Sequence, residues 1–150
     1  MRLTDFIDPK HVSLSIRSTD RDAVVGELVG LLGLDNDNAT TLLKAICRRE
    51  ALGSTGVGRG IAVPHCRSLA VRQVQVAFGR HVGGLEYDAI DGRPVHHVFL
   101  IIAPPVEASN SYLPVLGRIA QLAKETDVPE RLLALQTVED FFALLEEKGV

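Results

Sequence analysis

The chain has 150 residues, of which 46% are apolar and 23% charged, and its formal net charge is −3. This length fits one domain with a single core that needs neither disulfides nor a metal for stability, so we expect one domain over residues 1–150. The acidic balance argues against nucleic-acid binding, which usually needs a basic excess. The sequence has neither an apolar run of roughly 18 residues nor the long apolar region of a signal peptide, so we expect a cytoplasmic protein without membrane insertion.

The first third of the chain predicts one strand and two helices. Apolar residues at positions 12, 14 and 16 alternate with polar ones, which predicts a strand. Residues 18–20 provide a helix start, and that helix is expected to end near Gly33. The polar residues 35–38 cap a second helix, over about 39–50, whose last turn carries the basic side chains of Arg48 and Arg49.

Residues 53–67 have the most unusual composition in the chain. Glycines at positions 53, 56, 58 and 60 allow positive φ angles and close approach of the backbone to a ligand. A short apolar run then leads to Pro64, which fixes its own φ and favours an extended Val63. The sequence therefore predicts that His65 lies on a stiff strand end beside a loop rich in amide N–H groups, where a phosphoryl group can be held.

The second half of the chain predicts further strands followed by three helices. Apolar residues alternate over 74–78, which predicts a strand that ends near Arg80 or His81, before a turn at residues 83–84. Residues 95–103 carry apolar side chains at both odd and even positions, which indicates a strand covered by helices on both faces of the sheet. Helices are expected over about 111–124 and 130–135 and after a cap at Thr137. This order predicts an α/β fold: a single three-layer domain with a mixed β-sheet and helices on both faces.

His65 is the residue whose chemistry suits the glycine-rich stretch. A neutral imidazole is a nucleophile near neutral pH, and phosphoryl transfer asks the protein mainly to position the group and stabilise its charge. The N–H of Gly56 and the hydroxyls of Ser54 and Thr55 can donate to phosphoryl oxygens, and Arg49 can supply a charged donor fork. The alternative is a tight loop whose glycines form turns and whose histidine packs at a strand end.

Other chemistries fit this stretch less well. It lacks the Gly-Lys-Ser/Thr ending of a Walker A loop and the GxGxxG spacing, so nucleotide binding is not expected. His65 and Cys66 are adjacent and face opposite sides of an extended segment, which disfavours a Cys–His dyad. His96 and His97 have the same geometry and make poor joint metal ligands. We expect no metal and no cofactor.

The run from Arg49 to His65 fits the pattern RE-x-x-x-STG-x-G-x-G-I-A-x-P-H. It resembles the phosphorylation-site signature of type 2 (fructose/mannitol/nitrogen-regulatory) enzyme IIA domains of the phosphotransferase system. Residues 91–95 (Asp-Gly-Arg-Pro-Val), the apolar strand after them and Ala103-Pro104 are also similar to that family, so the resemblance spans essentially the whole chain. The chain is most similar to free-standing nitrogen-regulatory enzymes IIA.

The resemblance implies that His65 accepts a phosphoryl group on Nε2 from the phosphohistidine of an HPr-like carrier protein. Arg49 matches the family's arginine beside the phosphohistidine. The group then passes to the cysteine of an enzyme IIB in sugar transport. In the nitrogen-regulatory branch, the phosphorylation state instead controls binding to regulatory target proteins. A binding module of the same fold that is never phosphorylated is a further alternative.

Tyr112 departs from the family's pattern. The helix after the Ala-Pro segment usually begins with a His-Leu pair whose histidine faces the phosphorylated one, and here Ser111-Tyr112-Leu113 stands at that place. A tyrosine hydroxyl can still donate one hydrogen bond to a phosphoryl oxygen, but it cannot become cationic. This favours a regulatory role over sugar-coupled turnover. Alternatively, Tyr112 is simply an aromatic residue at a helix start.

Overall fold

The computed structural model describes residues 1–106 and 110–150. Two 3₁₀ turns, Leu3–Asp5 and Pro9–His11, come first. The α-helices are α1 (Arg21–Leu31), α2 (Asn36–Leu52), α3 (Tyr112–Lys124), α4 (Val128–Ala134) and α5 (Val138–Glu147). The strands are β1 (Val12–Ser13), β2 (Gly56–Gly58), β3 (Ile61–Ala62), β4 (His65–Arg67), β5 (Gln75–Leu85) and β6 (Val95–Ala103).

The strands form one mixed sheet in the order β1-β5-β6-β3-β2, with β4 pairing to β6 as well. β6 is the centre of this sheet, since it pairs antiparallel with β5 and parallel with β3 and β4. The short strands β3 and β4 follow one another along one edge of β6, which places His65 opposite Ile101. The predicted mixed sheet is confirmed.

Neighbouring residues of β6 point to opposite sides of the sheet. Both sets of side chains are mostly apolar, and helices cover both faces of the sheet. Phe99 and Ile101 pack with α3, α4 and α5, whereas Leu100 and Ile102 pack with α1 and α2. Burying each such side chain contributes about 1.5–3 kcal/mol, so both layers are needed for stability. The predicted three-layer α/β domain is confirmed.

The boundaries of β1 and α2 are among those that differ from the prediction, and β5 continues to Leu85 instead of ending near Arg80 or His81. β1 is limited to Val12–Ser13 rather than extending to residue 16, although Ile16 N still donates to Arg80 O at 3.0 Å. α2 begins at Asn36 rather than near residue 39, because the Asp35 side chain accepts from Asn38 N and caps the helix there.

The predicted turn at residues 83–84 is wrong. Both glycines lie inside β5, in a stretch where the pairing with β6 shifts register between Arg80 and Leu85. Gly84 has a φ of 76°, and a Cβ there would lie 2.9 Å from Cε1 of His96. Glycine is therefore needed at position 84 because the side chain of His96 on β6 lies so close to the backbone of β5. Within the described ranges, no helix is long and apolar enough to span a bilayer.

Candidate functional site

His65 is a half-buried residue at the start of β4. The backbone before and after it is bonded to the central strand: β3 and β4 both pair with β6, and Pro64 O accepts from Ile101 N at 3.0 Å. The expectation of a histidine on a rigid strand end is therefore met, at the first rather than the last residue of a strand.

One hydrogen bond determines which nitrogen of the His65 ring is reactive. Nδ1 lies 2.7 Å from the carbonyl oxygen of Val63. A carbonyl oxygen can only accept, so Nδ1 carries the hydrogen and donates it. The lone pair of the neutral ring is then on Nε2, which is the nucleophilic atom.

Tyr112 lies beside His65, as the sequence suggested. The two ring centroids are 6.2 Å apart with an interplanar angle of 61°, an edge-to-face arrangement. Burial raises the pKa of Tyr112 above its usual value, the thiol of Cys66 adds to this, and the charges of Arg67 and Arg49 oppose it. Tyr112 is therefore protonated at neutral pH, and the positive charges of Arg67 and Arg49 act on it.

Arg67 belongs to this site and was missed from the sequence. It stands two residues after His65 in β4, so both side chains share one face of the strand. Its guanidinium carbon is 4.7 Å from the centre of the Tyr112 ring, and Nη1 donates to Pro104 O at 2.8 Å. Cys66 points to the other side, against the α1–α2 layer, as expected for adjacent residues. The sequence feature that could have pointed to Arg67 is its position two residues after His65 in an extended segment.

Arg49 lies in the last turn of α2, and its Nη1 donates to Gly53 O at 2.8 Å. The guanidinium therefore fixes the end of the helix to the start of the glycine-rich loop. Of the residues predicted for the site, His65 and Tyr112 lie side by side, and the charge of Arg49 acts on Tyr112.

The polar groups of Ser54, Thr55 and Gly56 have protein partners. Ser54 Oγ donates to Tyr87 O at 2.7 Å and accepts from Gly56 N at 3.0 Å. Thr55 donates from its N and Oγ1 to the Glu50 carboxylate, at 3.2 and 2.7 Å. Because each hydroxyl has only one hydrogen, donation to a phosphoryl group requires these bonds to break. That role of the three residues stays a prediction.

Glu50 is a second residue that sequence reasoning did not assign. It is 2% exposed, and its two carboxylate oxygens hold the backbone and side chain of Thr55. Burying a carboxylate is unfavourable unless it is hydrogen-bonded, and Thr55 provides those bonds. Glu50 therefore anchors the loop from beneath. The sequence feature that could have pointed to Glu50 is its position directly after Arg49 in the Arg-Glu pair of the motif.

The rest of the loop is held in an unusual backbone conformation. Gly58, Arg59 and Gly60 have φ angles of 95°, 58° and 78°. Arg59 N donates to Asp91 Oδ2 at 3.0 Å, and the Arg59 guanidinium donates to the carbonyls of Ala123 and Lys124 at the end of α3. Hydrogen bonds from Arg59 and Arg93 lower the pKa of Asp91, so this carboxylate stays charged and holds the loop.

A groove of about 320 Å³ lies between the loop and α3. Val63, whose carbonyl holds His65, forms part of its wall, so the groove adjoins the site. The lining is mostly apolar: Val57, Gly58, Arg59, Val63, Leu116, Ile119, Ala120, Ala123 and Lys124. Leu69, Val106 and Leu113, which are close in sequence to site residues, are also exposed.

His96 and His97 form hydrogen bonds with backbone carbonyl oxygens. His96 Nδ1 lies 3.0 Å from His81 O, and His97 Nε2 lies 3.0 Å from Pro129 O. Over residues 1–106 and 110–150, no group of three or more His, Cys, Asp or Glu side chains is arranged to hold a metal ion.

One family of known proteins matches nearly the whole chain. A family model described as "Phosphoenolpyruvate-dependent sugar phosphotransferase system, EIIA 2" matches residues 5–148. The chain belongs to this family. The EIIA 2 assignment agrees with the resemblance carried by residues 49–65 and confirms it.

Relatives from two branches of the EIIA 2 family are similar to this chain. It is 32% identical to the PTS system fructose-specific EIIABC component of Bacillus subtilis over 98% of its length, but it spans only 23% of that protein. It is 30% identical to the nitrogen regulatory protein of Pseudomonas aeruginosa, covering 97% of this chain and 95% of the relative. The crystal structure of nitrogen regulatory protein IIA-Ntr from Neisseria meningitidis superimposes with a TM-score of 0.84 at 28% identity, covering 94% of this chain and 97% of that one.

Proposed function

We propose that this chain is a phosphocarrier whose His65 accepts a phosphoryl group on Nε2 from the phosphohistidine of an HPr-like carrier protein. The observation that carries this proposal is the 2.7 Å bond from Nδ1 to Val63 O, which leaves the lone pair on Nε2. In this reading the domain covers residues 1–150. A cytoplasmic location also stays a prediction.

The transfer is a displacement at phosphorus. The bond between phosphorus and the donor nitrogen breaks while a bond forms between phosphorus and Nε2 of His65. The electron pair of the broken bond returns to the donor imidazole, which leaves neutral, and the His65 ring takes up the positive charge. The hydrogen on Nδ1 of His65 stays in place. Its bond to Val63 O strengthens because the His65 ring is now charged.

Arg49 and Tyr112 are the groups we assign to the transferred phosphoryl group. Arg49 supplies a permanent positive charge near the ring, and Tyr112 supplies one O–H donor. Ser54, Thr55 and Gly56 would join them only if their present bonds to Tyr87, Glu50 and each other were exchanged.

For the branch of the pathway, we favour nitrogen or carbon regulation, with regulatory proteins as the targets of the phosphorylated state. The match to IIA-Ntr from Neisseria meningitidis, with a TM-score of 0.84 over nearly the whole of both chains, supports this. The 32% identity to a fructose-specific EIIABC component supports the alternative, a sugar-specific IIA that transfers to an enzyme IIB cysteine. Rapid transfer of label from His65 to an enzyme IIB would favour the sugar branch.

The proposal is tested by incubating the purified protein with a radiolabelled, phosphorylated HPr-like carrier. We expect about one phosphoryl group per wild-type chain, labile to acid and stable to alkali, and none on His65→Ala. His11→Gln is the matched control, because His11 lies in the 3₁₀ turn Pro9–His11, away from the site, and should take label normally.

Equal labelling of His65→Ala and the wild type would disprove the assignment of His65. No labelling of a folded wild-type protein would instead favour a binding module that signals without phosphorylation. Circular dichroism of each variant checks that the fold is retained.

A further inference from the structure

We propose that Arg67 is a positioning residue for the phosphohistidine, because its guanidinium stacks on Tyr112 and holds that ring against His65. This inference rests on the proposed function of His65 and extends it to the lifetime of the phosphorylated state. Its structural basis is a row of three side chains in which the imidazole contacts the tyrosine ring and the tyrosine ring contacts the guanidinium.

Arg67 is itself fixed at two points. Its backbone pairs with Ala103 of β6, and its Nη1 donates to Pro104 O, one residue further along the chain. The side chain therefore spans from β4 to the segment that follows β6 and reaches the first residue of α3. At 4.7 Å from the ring centre, the guanidinium lies within the range of a cation–π interaction.

Tyr112 is buried and packs in the core, and the stack with Arg67 adds one further restraint at its end of α3. It is the first residue of α3, and the ends of helices fray more readily than their middles. The stack with Arg67 attaches this helix end to the strand that carries His65. The aromatic ring therefore keeps its place beside the imidazole.

The consequence concerns water. Hydrolysis of a phosphohistidine breaks the phosphorus–nitrogen bond by attack of water on phosphorus, releasing phosphate and the neutral ring. An aromatic ring held beside the imidazole excludes water from that side of the group. Without Arg67 the ring loses one of the contacts that hold it beside His65, and the phosphohistidine should lose its phosphoryl group sooner.

A double-mutant cycle separates this role from direct contact with the phosphoryl group. Wild type, Arg67→Gln, Tyr112→Leu and the double variant are phosphorylated, freed of carrier, and followed for first-order loss of label. Because a cation–π pair of this kind is modest, we expect Arg67→Gln to shorten the lifetime by about two- to fivefold. In the Tyr112→Leu background the same substitution should change nothing.

The ring and its hydroxyl are separated by a second background. In Tyr112→Phe the ring remains, so Arg67→Gln should still shorten the lifetime. Arg118→Gln is the matched control: this arginine also donates to one backbone carbonyl, that of Gly149, but it lies on α3 toward α5. Its removal should leave the lifetime unchanged.

An equal effect of Arg67→Gln in the wild-type and Tyr112→Leu backgrounds would overturn the inference, since Arg67 would then act without the ring. An unchanged lifetime in Arg67→Gln alone would overturn it as well. A wild type that takes no label would refute the proposed function of His65 and this inference with it. Label on the wild type with no coupling between the two positions would refute only the role of Arg67.

Discussion

The imidazole of His65 lies between a carbonyl oxygen that fixes its hydrogen and an aromatic ring that occupies one side of it. Val63 O accepts from Nδ1, and Tyr112 lies edge-to-face with the ring. The bond at Nδ1 leaves the lone pair of the neutral ring on Nε2. Arg49 and Arg67 add positive charge, which would suit the dianionic phosphoryl group that we propose His65 to carry.

The hydroxyl of Tyr112 can be tested apart from its ring. Tyr112→Phe removes one donor, and a hydrogen bond to a charged group contributes about 1.5 kcal/mol, so we expect the phosphohistidine lifetime to shorten by roughly tenfold. The measurement is loss of label from the isolated phosphoprotein at pH 7.5. A lifetime equal to that of the wild type would remove the hydroxyl from the site.

The sequence predicted one site for His65, Arg49 and Tyr112, because a long motif and one helix start marked them, and in the structure Tyr112 lies beside His65. Arg67 could not be assigned from the sequence, because its contact with Tyr112 joins residues 45 positions apart that only the packing of α3 on the sheet brings together. The hydrogen-bond partners of Ser54 and Thr55 could not be predicted from the sequence for a similar reason. They depend on the burial of Glu50 and on a carbonyl of Tyr87, which no local pattern reveals.

At the level of elements, the glycine-rich loop is held between α2 beneath it and α3 beside it. Glu50 and Arg49 bind it from the end of α2, and Arg59 joins it to the end of α3. Gly56 permits close packing, since a Cβ there would lie 2.7 Å from Cβ of Ala89. The loop thus takes its shape from contacts with other elements, which is why its conformation was harder to predict than its presence.

Arg59 combines two effects that substitution can separate. Its φ of 58° is unfavourable for a residue with a Cβ, and its guanidinium donates to two carbonyls of α3. Arg59→Gly loses those bonds but relieves the backbone, whereas Arg59→Ala loses the bonds and keeps the strain. We expect Arg59→Ala to be less stable than Arg59→Gly by about 1 kcal/mol in urea unfolding. Equal stabilities would mean that the backbone strain is negligible.

At the scale of the whole molecule, two buried basic residues attach α4 to the sheet. The Arg80 guanidinium donates to Leu14 O and to the carbonyls of Leu132, Leu133 and Leu135 around the end of α4. Burial lowers the pKa of Arg80. His97, 1% exposed on the central strand, reaches Pro129 O at the start of the same helix. Carbonyls at both ends of a short helix thereby accept hydrogen bonds from the sheet.

His97 should make the stability of the fold depend on pH. Burial lowers its pKa to about 4; the nearby charges of His96 and Arg80 act in the same direction, and the bond to Pro129 O opposes them. In the unfolded chain the pKa of histidine is about 6.5, so between about pH 6.5 and 4 the unfolded state binds a proton that the folded state does not. Stability is therefore complete above about pH 6.5 and is lost as the pH falls, by at most roughly 3 kcal/mol.

Urea unfolding at pH 7.5 and pH 5.0 measures this effect, comparing wild type with His97→Gln, whose amide can still donate to Pro129 O. We expect the wild type to lose about 2 kcal/mol more than the variant between the two values, because glutamine does not titrate. The window lies above the range in which most carboxylates titrate, so their contribution is small. Parallel losses in the two proteins would show that His97 takes up its proton equally in the folded and unfolded states, and that the attachment of α4 to the sheet tolerates a charged imidazole.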